Sequence, residues 1–334
     1  MSDLEIREVD VHDEAALRTW WEVGHAASAE RPFDAWPAWE VSRVALPFPR
    51  TDSAITLLTA FDAGAAVGTA LVVEFLLDNT HLAEVTVYVD PAQRRRGFGT
   101  QLLDEAEERV RRSGRTSIIS SAFAPVDGES PGSLFAAARG YPVGSAEETK
   151  LVDLATATES WGSLQDEADA GLDGYSCIVF DGPCPEEHVQ GFADVLSVFI
   201  GAIPSGDLDL EDAQWTPERI RLGERERVEA GRVNVTALAL TPTAEVCGFS
   251  DVRLSRADPR HAGVGGTLVV PEHRGHRLGL AMKLLTHGRV RELFPECEFI
   301  ETGNAGVNAP MNAVNERMGY RVVERCLDVQ KRLA

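Results

Sequence analysis

The sequence predicts a mixed α/β fold of the α+β kind, present twice along the chain. Three observations carry that prediction. Short runs of β-branched and apolar residues alternate with segments whose apolar residues recur every three to four positions, the mixture expected of sheets covered by helices. A basic turn between a strand and a helix occurs in both halves at an almost constant offset. The 334 residues, 44% of them hydrophobic and 25% charged, are enough for two ordinary globular cores.

The repeat sets the two halves in register. Pro91-Ala92-Gln93-Arg94-Arg95-Arg96-Gly97-Phe98-Gly99 resembles Pro271-Glu272-His273-Arg274-Gly275-His276-Arg277-Leu278-Gly279, at an offset of 180 (271 − 91) shared by Arg94/Arg274 and Gly99/Gly279. Farther on, Arg139-Gly140-Tyr141 matches Met318-Gly319-Tyr320 at 179 (319 − 140).

In the first half the spacing predicts a helix over 14–27, strands over 54–58 and 67–77, and a β-branched strand over 85–89 that ends at Asp90-Pro91. Leu103, Ala106 and Val110 mark one face of a helix over 99–112. A strand over 117–123, a short helix over 133–139 and a strand over 150–154 complete the half. The second half repeats this order, with a strand over 175–180 and a helix over 187–199. Thr216 as N-cap and Pro217 at the first helical position open another helix. A hairpin-like pair covers 233–240 and 246–252, and a strand over 267–270 leads into the second turn. Leu278, Ala281, Met282 and Leu285 then mark a helix, followed by a strand at 299–300, a helix over 310–318 and a closing strand over 320–329. The stretch 155–174 is polar and acidic without a sustained apolar period, so it reads as a linker. The expected organisation is a first domain over 1–154, a linker over 155–174 and a second domain over 175–334.

With 32 Lys+Arg against 53 Asp+Glu, the formal net charge is −21. That argues against non-specific binding to nucleic acid or to an anionic membrane, since phosphate contacts need a basic surface. No stretch reaches the roughly 18 apolar residues of a membrane span. Met1-Ser2-Asp3-Leu4-Glu5 lacks the basic and apolar regions of a signal peptide. Cys177, Cys184, Cys247, Cys297 and Cys326 are scattered, with no CxxC pair and no metal-ligand spacing. Reduced thiols in a cytoplasmic protein without a metal are expected.

The segment 94–100 joins a strand to a helix N-terminus, where unpaired N–H groups and the helix dipole favour an anion. Gly97 and Gly99 permit positive φ and close approach, and three arginines add charge, so a pyrophosphate suits the turn. No Gly-Lys-Ser/Thr follows, and a dinucleotide fingerprint would need glycine at Leu102. Taken alone, an exposed basic turn fits equally well.

Arg94-Arg95-Arg96-Gly97-Phe98-Gly99, preceded by a Val-rich strand and followed by an amphipathic helix, resembles the Q/R-x-x-G-x-G/A motif of the GNAT superfamily of acyl-CoA-dependent N-acetyltransferases. The second half resembles it through Arg274 to Gly279 and through Asn304-Ala305-Gly306-Val307-Asn308, Met311, Asn315 and Gly319-Tyr320. The whole chain resembles a tandem GNAT protein, similar in layout to the actinobacterial mycothiol synthases. The resemblance implies two GNAT-like domains, each a partly splayed mixed sheet flanked by helices, with acetyl-CoA as acyl donor. The implied coenzyme contacts in the first half are Val87 and Val89 through their backbone, then Arg94, Arg95, Arg96, Gly97, Phe98, Gly99 and Thr100. In the second half they are Val269, Arg274, Gly275, His276, Gly279 and Asn308, the last of which caps a helix in the competing reading.

The resemblance also implies a carboxylate that takes the proton of an attacking amine. Glu84, in Leu82-Ala83-Glu84-Val85, fits that role; a solvent-facing strand Glu is the alternative. Many members carry a Tyr that protonates the departing thiolate, but Ala136 and Asn315 stand at that position here. Tyr88 is a substitute acid or a strand packing residue. The second half has Val264 at the offset of Glu84, and Arg277 where the first turn has Gly97. In the helical insert of the first half, Trp21, Glu22, Asp34 and Trp36 suit a cationic amine, or else build a helix–helix core. Three function classes stay open: an N-acetyltransferase acting on a small-molecule amine through its first half, the same chemistry in the second half, or a non-catalytic acyl-CoA sensor. The chain is expected to be a monomer or homodimer.

Overall fold

The computed structural model describes residues 4–33, 36–202, 204 and 206–333. In chain order the elements of the first half are β1 (Glu5–Glu8), α1 (Glu14–Ser28), α2 (Trp39–Ala45), β2 (Ser53–Asp62), β3 (Ala65–Phe75), β4 (Leu82–Val89), α3 (Phe98–Arg112), β5 (Ser117–Ala124), α4 (Pro131–Ala138) and β6 (Val143–Asp153). There follow α5 (Trp161–Ala170), β7 (Ser176–Phe180), α6 (Val189–Ser197), α7 (Phe199–Ala202), α8 (Pro217–Glu229), β8 (Arg232–Leu240), β9 (Val246–Ser255), β10 (Asp258–Val269), α9 (Leu278–Leu293), β11 (Phe299–Ala305), α10 (Ala309–Arg317) and β12 (Arg321–Arg332).

The chain forms two compact units. The first takes Met1–Ser145, Asp207–Asp209 and Cys326–Ala334; the second takes Ala146–Gly206 and Leu210–Arg325. In the first unit the strands run β1-β2-β3-β4-β5-β12, and in the second β7-β8-β9-β10-β11-β6. Each unit is antiparallel up to its fourth strand, then parallel between the fourth and fifth: β4 with β5, and β10 with β11. β6, which follows β5 in the sequence, pairs antiparallel with β11 from Phe299↔Asp153 to Ala305↔Glu147. The place it leaves beside β5 is taken by the last strand of the chain.

The units therefore divide the chain differently from the expected domains. Residues 146–154 fall in the second unit and 326–334 in the first. The expected linker is largely helical: α5 buries Trp161, Leu164 and Ala168 against Leu280, Leu284 and Met318, with Trp161 Nε1 donating to the Met318 carbonyl at 3.1 Å. Three apolar residues at i, i+3 and i+7 among acidic neighbours make a narrow stripe, which is why the composition alone reads as loop. β10 is also longer than expected, because Gly263-Val264-Gly265-Gly266 has the composition of a turn yet lies in a strand.

In the first unit Leu103, Ala106 and Val110 of α3 pack on Val72, Ala83, Val85 and Ile118. Trp20, Trp21 and Leu17 of α1 pack against Leu57, with Trp36, Trp39 and Leu71. The two helices thus lie on opposite faces, since β4 turns Ala83 and Val85 to α3 and alternate residues the other way. In the second unit α9 occupies the place of α3, with Leu280, Ala281 and Leu284 against Val252, Ala262 and Ile300. Each valine, leucine or isoleucine of this kind contributes about 1.5–3 kcal/mol on burial, and the alanines less.

α9 also buries a cation. Lys283 is 1% exposed, and its ammonium lies 5.0 Å from the Tyr320 ring centroid. The matching position in the first unit is Leu103. Burial, reinforced by Lys150, pulls Lys283 down to about 7. Because this folded value is below the unfolded one, the unfolded chain binds the extra proton between about pH 7 and 10.4, so stability rises with pH across that window and the full cost is present below it. Lys283→Met should raise stability at pH 6 by roughly 1–4 kcal/mol, taking as a guide the range for buried ion pairs replaced by apolar groups. That gain should shrink toward pH 10. Thermal melts of both proteins from pH 6 to 10 measure it; a pH-independent difference would show that Lys283 carries no such cost.

Candidate active site

The central feature of the first unit is a fork. β4 and β5 pair at Leu82↔Ser117, Ala83↔Ile118 and Glu84↔Ile119, and there the parallel ladder stops. Val85 to Val89 continue along β3 alone, up to Gly68↔Val89. The β5 side of this stretch presents backbone groups without a ladder partner, which can bind an extended amide-bearing chain by strand-like hydrogen bonds. Val87 and Val89 lie on it, with their side chains turned into the core.

At the far end of β4, Asp90 accepts from Ala92 N at 2.9 Å and starts a short 3-10 turn, Pro91–Gln93. Arg95 (φ 67°) and Gly97 (φ 90°) are both left-handed, and Gly97 is the N-cap of α3. The first intrahelical bond there is Gln101 N to Gly97 O, so the amides of Phe98, Gly99 and Thr100 precede the ladder, as an anion site requires. The Phe98 side chain is 2% exposed in the core, so only its backbone is on offer. A Cβ on Gly99 would stand 3.3 Å from Val89 and 3.7 Å from Phe135. Two of the three arginines are held by the protein itself. Arg94 donates to Val89 O at 3.3 Å and pairs with Glu30 at 2.6 Å. Arg96 pairs with Asp62 at 2.7 Å. Arg95 is exposed.

Glu84 is the last residue in the ladder, at the crotch of the fork, and faces away from α3. Burial, and then the Asp328 carboxylate, raise its pKa. Asp328, on β12, accepts from Ser121 Oγ at 2.7 Å. Tyr88 faces the same side, its pKa raised by burial against an opposing pull from Arg31. Its ring meets Trp36 edge-on at 5.0 Å. The Arg31 guanidinium lies 3.6 Å over Phe123 of β5. This face therefore gathers a carboxylate that holds its proton more readily than usual, a phenol, an arginine and aromatic walls.

The other residues expected near an acceptor lie elsewhere. Trp21 is 8% exposed, donates to Pro37 O at 2.8 Å and stacks on His25, so it is helix core. Glu22 is exposed and paired with Arg18 at 2.8 Å. Asp34 lies outside the described residues.

The second unit has the same fork. β10 and β11 pair at His261↔Phe299, Ala262↔Ile300 and Gly263↔Glu301, then part. Gly263, not Val264, thus stands where Glu84 stands, because β10 slips register between Val264 and Gly266 and moves the offset by one. The carboxylate at this fork is Glu301, from the neighbouring strand. The turn is conformationally preserved: Gly275 has φ 94° and Arg277 φ 54°, matching Arg95 and Gly97 with glycine and arginine exchanged. Arg274 donates to Val269 O at 3.0 Å, as Arg94 does to Val89. Arg277 turns its side chain to Glu167, and His276 pairs with Asp173 at 3.1 Å and packs on Tyr175. A Cβ on Gly279 would meet only Met311, at 3.8 Å. Asn308 caps α10, accepting from Met311 N at 3.4 Å.

Sequence reasoning did not reach Arg31, Phe123, Asp328 or Glu301. Asp328 had no accessible signal, since it arrives from the end of the chain through the exchanged strand. Glu301 had one: a carboxylate inside a short strand that precedes the Asn-rich segment. Among the described residues no helix is long and apolar enough to cross a membrane, and no cluster of His, Cys, Asp and Glu is arranged to hold a metal.

Residues 15–129 match the model of the acetyltransferase (GNAT) family. A mycothiol acetyltransferase of Saccharomonospora viridis is 29% identical over 259 residues, 75% of this chain and 73% of that one. A solved tandem GNAT protein from the clavulanic acid biosynthesis pathway superposes with a TM-score of 0.79 at 26% identity, over 99% of this chain and 98% of its own. A GCN5-related N-acetyltransferase from Sphaerobacter thermophilus shares the fold, with a TM-score of 0.68 at 18% identity, over 98% and 95% of the two chains. Residues 15–129 thus match the GNAT acetyltransferase family, the fold is that of a solved tandem GNAT protein, and these similarities support N-acetyltransferase activity.

Proposed function

We propose that the first unit transfers an acetyl group from acetyl-CoA to a small-molecule amine, with Glu84 as general base. One observation carries this reading: the β4–β5 ladder ends at Glu84, so a half-buried carboxylate of raised pKa lies at the root of a strand edge that leads to a left-handed Gly97 and a helix N-terminus. The donor supplies an acyl group on a thioester. The backbone of Val87 and Val89 holds its pantetheine arm, and the amides of Phe98, Gly99 and Thr100, with Arg95, hold its pyrophosphate.

Glu84 accepts a proton from the amine, directly or through one water, as the nitrogen bonds to the thioester carbon and the carbon–sulfur bond breaks. Its raised pKa brings it nearer the working pH, where a base is most effective. Tyr88, kept protonated by burial, is the candidate donor to the departing thiolate. Trp36 and Arg31 border the acceptor. The five free thiols fit a reducing, cytoplasmic setting.

A second reading places the chemistry in the second unit. It is favoured by the fork at Gly263↔Glu301 and by the preserved left-handed turn at Gly275 and Arg277.

Two experiments bear on these readings. In Glu84→Gln, kcat should fall about 10²- to 10⁴-fold with little change in acetyl-CoA Kd. The acidic limb of the pH–rate profile, set by a base that must be deprotonated, should vanish. Equal kcat at saturating substrates with chemistry rate-limiting would return Glu84 to a plain strand residue. The matched variants Gly99→Trp and Gly279→Trp, each checked for folding by circular dichroism, place a side chain at one helix N-terminus or the other. Loss of turnover and of calorimetric CoA binding in Gly99→Trp alone supports the first unit; the reverse pattern moves the active site to the second.

A further inference from the structure

α8 lies along β8 on the sheet face opposite α9. Its Ile220 packs with Leu238 and Leu240, and only Ala230 and Gly231 separate the helix from the strand, so its last turn stands over the first residues of β8. Val233, Val235, Val252 and Leu254 point to α9. Arg232 and Asn234 of β8, with Asp251 and Arg253 of β9, therefore point to α8. Asn234 pairs with Arg253 and Arg232 with Ser255, which makes Arg232 and Arg253 diagonal neighbours on one face, with Cα atoms about 7–8 Å apart. Arg227 follows Ile220 by seven residues and shares its helix face. Three arginines of the second unit thus meet at one place, from a helix and two strands.

Two glycines give the guanidinium heads room. A Cβ on Gly223, one turn before Arg227, would stand 3.2 Å from Arg227 Nη1, and one on Gly265 would overlap the Arg253 guanidinium. Glycine is disfavoured inside a helix, and Gly223 leaves there a bare surface on which a guanidinium rests. Arg253 is aimed by its Nε, which donates to Asp251 Oδ2 at 2.8 Å, while the side chain stays 63% exposed. Among the described residues Arg227 and Arg232 make no hydrogen bond or ion pair. Glu224, on the same face of α8, is paired with Arg221 at 2.9 Å. Desolvation and then Arg253 lower the pKa of Arg227 and of Arg232, and the pull of Glu224, Asp251 and Glu226 on Arg227 does not outweigh them. A chain of net charge −21 thus gathers three mutually repelling cations around Asp251. Arg253 is level with Gly263, whereas the second turn begins past Val269, level with Gly248, about 15–20 Å along the strand. A phosphate held by that turn is out of reach of these arginines.

We propose that Arg227, Arg232 and Arg253 bind a small-molecule phosphate monoester. Guanidinium forks match phosphate oxygens two at a time, and a dianion offsets two of the three positive charges, the third being met by Asp251. The site does not rest on the acyl transfer proposed above, nor on which fork carries it. The full-length chain is titrated calorimetrically at pH 8 with glycerol 3-phosphate and inorganic phosphate, both dianions there, with dimethyl phosphate, a monoanion, and with acetyl-CoA. At least one dianion should bind, and dimethyl phosphate roughly 10- to 100-fold more weakly, the effect of one lost charge-assisted hydrogen bond. Arg227→Met and Arg253→Met should each weaken the dianion by a similar factor with unchanged circular dichroism. Arg225→Met, which removes the same charge from an exposed position of α8, should leave it nearly unchanged. Acetyl-CoA should bind wild type and variants alike, which separates this site from the coenzyme turns. No heat from either dianion, equal affinity for dimethyl phosphate, undiminished binding in Arg227→Met and Arg253→Met, an equal loss in Arg225→Met, or a loss of acetyl-CoA affinity in the cluster variants overturns the proposal.

Discussion

The site proposed in the first unit, and its counterpart in the second, depend on two parallel strands that part after three paired residues. A parallel ladder normally satisfies both edges of its strands, and leaving one edge open inside a domain costs hydrogen bonds unless something replaces them. Here the opening begins at Glu84 and at Gly263, on the fourth strand of each unit. The helix that follows this strand, α3 or α9, packs on one face and starts where the strand ends. An extended ligand at the open edge therefore has its far end at a helix N-terminus. In the function proposed for the first unit, the fork sets the ligand's direction, the turn holds its anionic end, and the sheet face opposite the helix receives whatever reacts with the other end.

Much of this was legible in the sequence, because the relevant signals are local. The β-branched run before Pro91, the Gly97–Gly99 spacing and the apolar period of α3 are contained in about thirty residues, and the copy at Pro271 calibrates them. Long-range matters were not legible. β6 and β12 both present alternating patterns, and alternation states which face a strand buries, not which sheet it joins. A strand that returns to its own sheet and one that takes the same place in a copied sheet read alike, so Asp328 beside Glu84 had no signal. The one-residue slip in β10 was hidden as well, because a bulge inserts a residue without changing composition, and it converts an apparent Val264 into Gly263 at the fork.

The two turns show how conformation can be kept while residues are exchanged. Each needs two left-handed positions two residues apart. The first unit fills them with Arg95 and Gly97, the second with Gly275 and Arg277. A non-glycine residue in that region costs of the order of 1–3 kcal/mol and persists where the surroundings hold it. In the second unit the ion pair of Arg277 with Glu167 of α5 supplies such a hold. An arginine in place of the first-turn glycine is therefore no evidence that the second turn has lost its shape; what changes is which backbone position is bare and where the guanidinium goes.

The distribution of carboxylates separates the units more sharply than the turns do. Glu84 rises from β4 among apolar neighbours, with Asp328 adding repulsion, and both effects favour its protonated form. That suits a group which must take a proton and later release it. Glu301 rises from β11 instead and leans over a glycine, with Arg253 on the other side of the same strand. The same fork thus carries two different electrostatic arrangements: a carboxylate on the central strand between Val73 and Ile119 in one unit, and a glycine on the central strand between Arg253 and Glu301 in the other. The difference lies on β10, where Gly263 stands at the place of Glu84, Gly266 at that of Thr86, and Gly265 is the residue added by the register slip.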